Sequence, residues 1–151
     1  MQVKILVHKD YEEMEVHVCH HEKSERMLTV AKQIDNLVNL TIMGMDAKGA
    51  KVINVEDVIR FYTQEQKVLA QDKDGTVTIP FKLYELEEKL DDKHFVRISK
   101  SEIVNLRKIK RLDMSVSGTI KVIFYDESWT YTSRRNVTRL KNALGLGRRA
   151  E

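Results

Sequence analysis

The chain has 151 residues, 42% of them hydrophobic and 32% charged, with six glycines, one proline and one cysteine. That is one domain, or a domain with an appendage; it excludes a large multidomain enzyme, a collagen-like chain and an internal disulfide. The formal net charge is +3, yet residues 1–47 sum to −3 and residues 48–151 to +6, with +8 from Arg97 onward. An acidic front and a basic back point to two parts with different partners, and nucleic acid is the commonest partner of a basic part.

No secretory leader opens the chain, and its most apolar stretch, residues 37–45, is broken by Asn39 and Thr41 and is far short of the roughly 20 residues that span a bilayer. The expected location is the cytoplasm, with no membrane insertion.

Val3, Ile5 and Val7 alternate with polar residues, as do Val16 and Val18, which predicts a β-hairpin on a half-buried sheet. From Ser24 the period changes. Met27, Val30, Ala31, Ile34, Leu37 and Val38 fall on one face of a helix that Ser24 is placed to cap. Short β-branched and aromatic runs follow at 52–55, 58–62, 68–71 and 76–79, with Asp74-Gly75 as a hairpin turn. A short helix is predicted across 81–90, after Pro80 and before Asp91-Asp92. Further strands are predicted at 95–98, 103–106, 109–114, 120–125 and 129–132, with turns at Ser117-Gly118 and Asp126-Glu127. A last helix is expected from about Arg134 to Leu144, with Ser133 as cap and Gly145 as stop. The fold class is mainly β with small α content, an antiparallel sandwich or barrel over 41–144. No pair of adjacent helices forms a helix-turn-helix, so DNA binding here would fall largely to loops between strands.

His17, Cys19, His20 and His21 crowd one segment. In a strand His17, Cys19 and His21 would share a face, but that spacing spreads them and no second cluster completes a metal site. They are read as a sheet face with exposed histidines, and Cys19 as a small buried hydrophobe. Neither a metal nor a cofactor is expected. Catalysis has no support either: there is no glycine-rich phosphate loop, nucleophile elbow or HExxH, and His94 reads as a surface residue.

Two basic constellations remain. Arg97, Ser99, Lys100 and Ser101 lie where a strand meets the next segment, with Arg107, Lys108, Lys110 and Arg111 just beyond, and hydroxyls with cations suit phosphate oxygens. Ser133, Arg134, Arg135 and Asn136 open the last helix, where cations oppose the helix dipole and an external anion relieves the conflict. The alternative is that these arginines bend away and pair with Asp126, Glu127 or another carboxylate.

The segments VINVEDVIRFYTQEQKVLAQ, IPFKLYELEEKL, DDKHFVRISKSEIVNLRKIKRL and WTYTSRRNVTRLKNAL, in that order, resemble the LytTR DNA-binding domain of bacterial transcription regulators. The resemblance implies antiparallel β-sheets that insert loops into successive major grooves of a promoter. It places Lys100 and Arg135 at base-contacting positions and Gln66 or Lys67 at a third, with Arg134, Lys67, Ser99 and Ser101 as phosphate holders; Arg97, Asn136 and Asn105 also fall in the motifs, Asn105 in a structural role. Ser99 stands where many relatives carry histidine, and Glu102 where they often carry an apolar or aromatic residue. The implied organisation is a hairpin–helix appendage over 1–40 for dimerisation or partner binding, the DNA-binding domain over 41–145 and a basic tail over 146–151. The partners implied are double-stranded DNA, a second copy of the chain, and a regulatory protein that in some relatives is membrane-bound. The first forty residues lack the acidic pocket and lysine of a phosphorylated switch. The competing function is an interaction module whose basic face binds an acidic protein.

Overall fold

The computed structural model describes residues 9–10, 15–38 and 40–146, the side chains of 35–38 excepted. The chain separates into two compact units, residues 1–38 and 39–151.

In the first unit Ser24 caps helix α1 (Glu25–Val38): its Oγ accepts the Met27 N–H at 3.2 Å and its carbonyl the Leu28 N–H at 3.1 Å. Met27, Val30, Ala31 and Ile34 are half-buried, as their spacing predicts, while Leu28 beside them is exposed. The side chains of Leu37 and Val38 lie outside the described residues. Of the expected hairpin, only the arm at Val16 and Val18 falls among the described residues. Val3, Ile5 and Val7 lie outside the described residues, and residues 15–20 carry no strand. Val16 and Cys19 are exposed, which corrects the expectation of a buried thiol. Polar groups here are satisfied locally, His17 Nε2 by Glu15 at 2.9 Å and His20 Nδ1 by the Glu22 backbone, so no strand face lines up His17, Cys19 and His21.

The second unit is built on a seven-stranded antiparallel sheet: β1 (Thr41–Asp46), β2 (Gly49–Asn54), β3 (Arg60–Gln64), β4 (Lys67–Asp72), β5 (Gly75–Ile79), β6 (Phe95–Ser99) and β7 (Glu102–Asn105), in spatial order β2-β1-β5-β4-β3-β7-β6. A three-stranded antiparallel sheet, β8 (Ile109–Asp113), β9 (Lys121–Phe124) and β10 (Trp129–Tyr131), has the order β10-β9-β8. Two short helices, α2 (Leu83–Lys89) and α3 (Val137–Ala143), complete it. Strand β1 is absent from the sequence-based expectation because Gly44 interrupts its apolar run. The glycine permits a close approach: a Cβ there would lie 2.5 Å from Val77 Cγ2. Val55 and Leu106 leave their predicted strands for 3-10 turns, each opened by an asparagine whose Oδ1 caps a backbone N–H, Asn54 that of Glu56 at 3.2 Å and Asn105 that of Arg107 at 3.1 Å.

Two apolar clusters hold the unit. One joins α2, through Leu83 and Leu86, to one face of the large sheet at Ile42, Ile53, Phe61 and Ile79. The other joins Ile98 and Val104 of the large sheet to Val122 and Phe124 of the small one and to Leu140 of α3. Each fully buried Leu, Ile or Phe contributes roughly 1.5–3 kcal/mol. Strand β7 lies between the clusters and is buried at all four residues, with Ile103 in the first cluster and Val104 in the second. A strand covered on both faces does not alternate, which accounts for the run EIVN. Helix α3 ends as predicted at Gly145, whose φ of 74° sets a left-handed stop closed by bonds from Gly145 N to the Asn142 carbonyl and Leu146 N to the Lys141 carbonyl, at 3.1 and 2.8 Å. Its start differs. Residues Arg134–Asn136 form a 3-10 turn, and the Ser133 side chain caps no backbone group: its Oγ accepts from the Asn136 side-chain amide at 2.7 Å, while its carbonyl accepts the Asn136 N–H at 3.0 Å. No helix among the described residues is long and apolar enough to cross a membrane.

Candidate nucleic-acid interface

Three connections meet at one end of the large sheet. The β3–β4 hairpin turns through Glu65 and Gln66, both at positive φ (50° and 63°), in the mirror-image turn that matches strand twist. Because Tyr62 pairs with Glu102, the end of β3 lies beside the start of β7, and Thr63 N donates to the Ser101 carbonyl at 2.9 Å. The β6–β7 connection, Ser99 to Ser101, is thereby tied to the hairpin. A bulge in β6 makes the second tie. The register passes from Arg97↔Ile103 to Ser99↔Glu102, leaving Ile98 without a partner across the ladder, and the Ile98 carbonyl accepts the Ser133 N–H at 2.8 Å. The 3-10 turn of Arg134–Asn136 is thus anchored beside Ser99–Ser101.

The end so formed carries unneutralised charge. Lys67, Lys100, Arg134 and Arg135 are exposed, and none has an ion pair among the described residues. The arginines at 134 and 135 do not turn back to the two carboxylates considered for them. Asp126 is bonded by Ser128 and Gln71, and Glu127 by Lys110. Gln66 is exposed at the hairpin tip. Ser99 and Ser101 face one another, hydroxyl to hydroxyl at 3.3 Å, and Ser101 N donates to Ser99 Oγ at 3.2 Å. Arg97 is engaged from within, with Glu87 and with the loop carbonyls of Ser99 and Lys100.

The basic run after β7 does not join this end. Arg107 begins where β7 stops, a strand length of about 13 Å from the Lys100 turn. Its guanidinium pairs with Glu56 at 3.1 Å and meets His94 Nε2 at 2.7 Å, while Lys110 pairs with Glu127. Sequence proximity had merged two opposite ends of a strand.

Polar groups between the sheets fix the loops relative to one another. Glu102, 7% exposed, accepts from Arg60 Nη1 at 2.8 Å and from the Thr130 hydroxyl of β10 at 2.6 Å. Arg60 Nε donates to Gln71, whose amide donates to Asp126 at 3.0 Å and to the Ser128 hydroxyl at 3.1 Å. Burial pushes the Asp126 carboxyl up, but hydrogen bonds from Ser128 and Gln71 and the Arg60 charge outweigh it and hold the group below its ordinary range. Glu102, singled out in the sequence for its polarity, therefore spans the two sheets. Asn105 is structural, as expected: its amide donates to the carbonyls of Glu56 and Val58 at 3.1 and 2.8 Å. Glu87, Thr63 and Thr130 shape this end and were missed, since each acts across a distance in sequence that no motif records. Among the described residues, no group of three or more His, Cys, Asp or Glu side chains is disposed to hold a metal.

An antiparallel β domain with a basic end made of three loops, and with five strands between α2 and its nearest helix on either side, belongs to the class of DNA-binding domains that dispense with a helix-turn-helix. The model of the LytTr DNA-binding domain family matches residues 48–145, and the chain belongs to that family. An uncharacterized HTH-type transcriptional regulator of Staphylococcus aureus (strain NCTC 8325 / PS 47) is 30% identical over 147 residues, covering 97% of this chain and 99% of the relative. A second relative of that description, from strain MSSA476, is 39% identical over 106 residues, covering 70% of this chain and 71% of its own. A solved structure, the LytTr DNA-binding domain of a Bacillus cereus protein, has a TM-score of 0.67 at 20% identity, covers 70% of this chain and 96% of that one, and shows the shared fold.

Proposed function

We propose that the chain is a cytoplasmic, dimeric transcription regulator that inserts its loops into successive major grooves of a promoter. In this reading Arg135 makes a bidentate contact to guanine and Lys100 donates to guanine N7 or O6. Gln66 or Lys67 supplies a third contact, while Arg134, Ser99 and Ser101 hold phosphates. Residues 1–40 serve dimerisation or a regulatory partner. The observation that carries the proposal is the convergence of three loops, joined by the Thr63–Ser101 and Ser133–Ile98 backbone bonds, with four exposed cations that have no ion pair among the described residues.

The test is competition. A promoter duplex of the host is expected to be retained at low salt, to resist displacement by random duplex, and to lose affinity with salt at a logarithmic slope of about 0.9 per phosphate neutralised. Displacement by random duplex and by an acidic protein with equal ease would favour the interaction-module reading instead.

A further inference from the structure

The turn that presents Lys100 is held from beneath by one guanidinium. Arg97 donates from Nε to the Ser99 carbonyl at 2.7 Å and from Nη2 to the Lys100 carbonyl, while its Nη1 donates to Glu87 Oε1 at 2.7 Å. Three donors of one planar fork are committed at once, two to the turn and one to α2. The fork is rigid, so a carboxylate that fixes one edge fixes the directions of the others. Helix α2 is a firm anchor because Leu83 and Leu86 lie in the apolar core. Glu87 itself sits on its outer side with 36% of its side chain exposed.

The Lys100 side chain is exposed and has no ion pair among the described residues. A lysine is a point charge on a flexible stem that meets a phosphate from many backbone positions, whereas donation to one base edge demands a particular one. Holding the backbone therefore matters for discrimination more than for affinity. We infer that Glu87 and Arg97 are positioning residues for sequence reading: Glu87 orients the Arg97 fork, the fork fixes the Ser99–Ser101 turn, and the turn sets where Lys100 meets the base edge. This rests on the reading in which Lys100 contacts a base pair.

A purely electrostatic role for Glu87 makes the opposite forecast. Removing a carboxylate near DNA would raise affinity for every sequence and leave base preference alone. The experiment uses the full chain and a duplex selected by it from a randomised library, with single-base variants at each position. Lys100→Ala is expected to flatten a preference of about tenfold at one base pair, which marks the pair that Lys100 reads. Glu87→Gln and Arg97→Lys are expected to reduce that preference by about fivefold at the same pair and not at the pair marked by Arg135→Ala. Glu87→Gln placed on Lys100→Ala adds nothing further, because the two act through one contact. Glu88→Gln, the same charge change one residue along α2, leaves all preferences in place. If Arg97→Lys fails to fold, Glu87→Gln decides alone, since its side chain lies at the surface.

Two failures are distinguishable. A Lys100→Ala chain with every base preference intact removes the Lys100 assignment, and this inference with it. A Lys100→Ala effect with Glu87→Gln either silent or lowering preference equally at all pairs overturns the positioning role while leaving Lys100 as the reader.

Discussion

At Arg134 and Arg135 two neighbours of one type are assigned different duties. The Arg134 side chain passes the Ser117-Gly118 turn, its Nε 3.7 Å from where a Gly118 Cβ would stand. Arg135 is exposed and has no ion pair among the described residues. Replacing Arg135 by alanine should cost about 1–3 kcal/mol on the preferred duplex and relax discrimination at one base pair, whereas Arg134→Ala should weaken all duplexes alike. Binding to a panel of single-base variants checks this, and parallel losses in the two mutants would remove base reading from Arg135. Both arginines stand out in the sequence because a contiguous motif holds them, and the structure leaves both exposed. Glu87 was not, since ten residues and a helix-to-strand crossing separate it from Arg97, and no periodicity reports an ion pair between elements. Arg107 was misplaced for the converse reason: it lies near Lys100 in sequence, but β7 intervenes.

Among the elements, hairpins repeat one device that the sequence displays more clearly than it displays the strands. In Asp46-Ala47-Lys48-Gly49 and again in Asp72-Lys73-Asp74-Gly75, the first aspartate's Oδ1 accepts the N–H groups two and three residues on, at 2.8 and 3.1 Å in both. The turn expected at Asp74-Gly75 is thus centred on Lys73-Asp74, with Gly75 opening β5, and the matching signal at Asp46 marks the end of β1. Period-2 alternation missed β1 because the buried position at Gly44 carries no side chain. Asp72 adds an ion pair, its Oδ2 accepting from Lys51 of β2 at 3.0 Å. Burial raises its carboxyl, but the Lys51 ammonium and the two turn N–H groups outweigh that and hold it below its ordinary value of 3.8. A carboxyl depressed on folding contributes stability that is present above its unfolded pKa and lost as pH falls through the lower folded value. Urea unfolding between about pH 7 and pH 2.5 should therefore show stability falling below about pH 4, and Asp72→Asn should be less stable at neutral pH with a shallower acid decline. Parallel acid declines in the two chains would show that Asp72 does not carry this linkage.

At the scale of the whole molecule, two compact units with opposite charge balance call for separate tasks. The 147-residue match to the Staphylococcus aureus relative extends ahead of residue 48, where the family model begins, so the leading segment is shared beyond the DNA-binding domain. Its α1 presents Met27, Val30, Ala31 and Ile34 along one side, and a half-buried apolar stripe on an acidic segment suits a protein surface better than a phosphate backbone. Pairing of this unit with its copy would place two basic ends on successive half-sites, as symmetric dimers commonly do. Linking two weak contacts in this way raises avidity by about a hundredfold or more with no new base contact. The division to test falls ahead of Leu40, which must be kept because its carbonyl accepts the Val55 N–H at 2.9 Å and its side chain packs on the core of the second unit. A chain beginning at Asn39 retains all ten strands described, so it should fold, sediment as a monomer and bind a single half-site while losing most affinity for a full site. A truncated chain that still sediments as a dimer with full-site affinity would refute dimerisation through the leading unit. A full-length chain that is itself monomeric would do the same, and would leave a regulatory partner as the occupant of the α1 stripe.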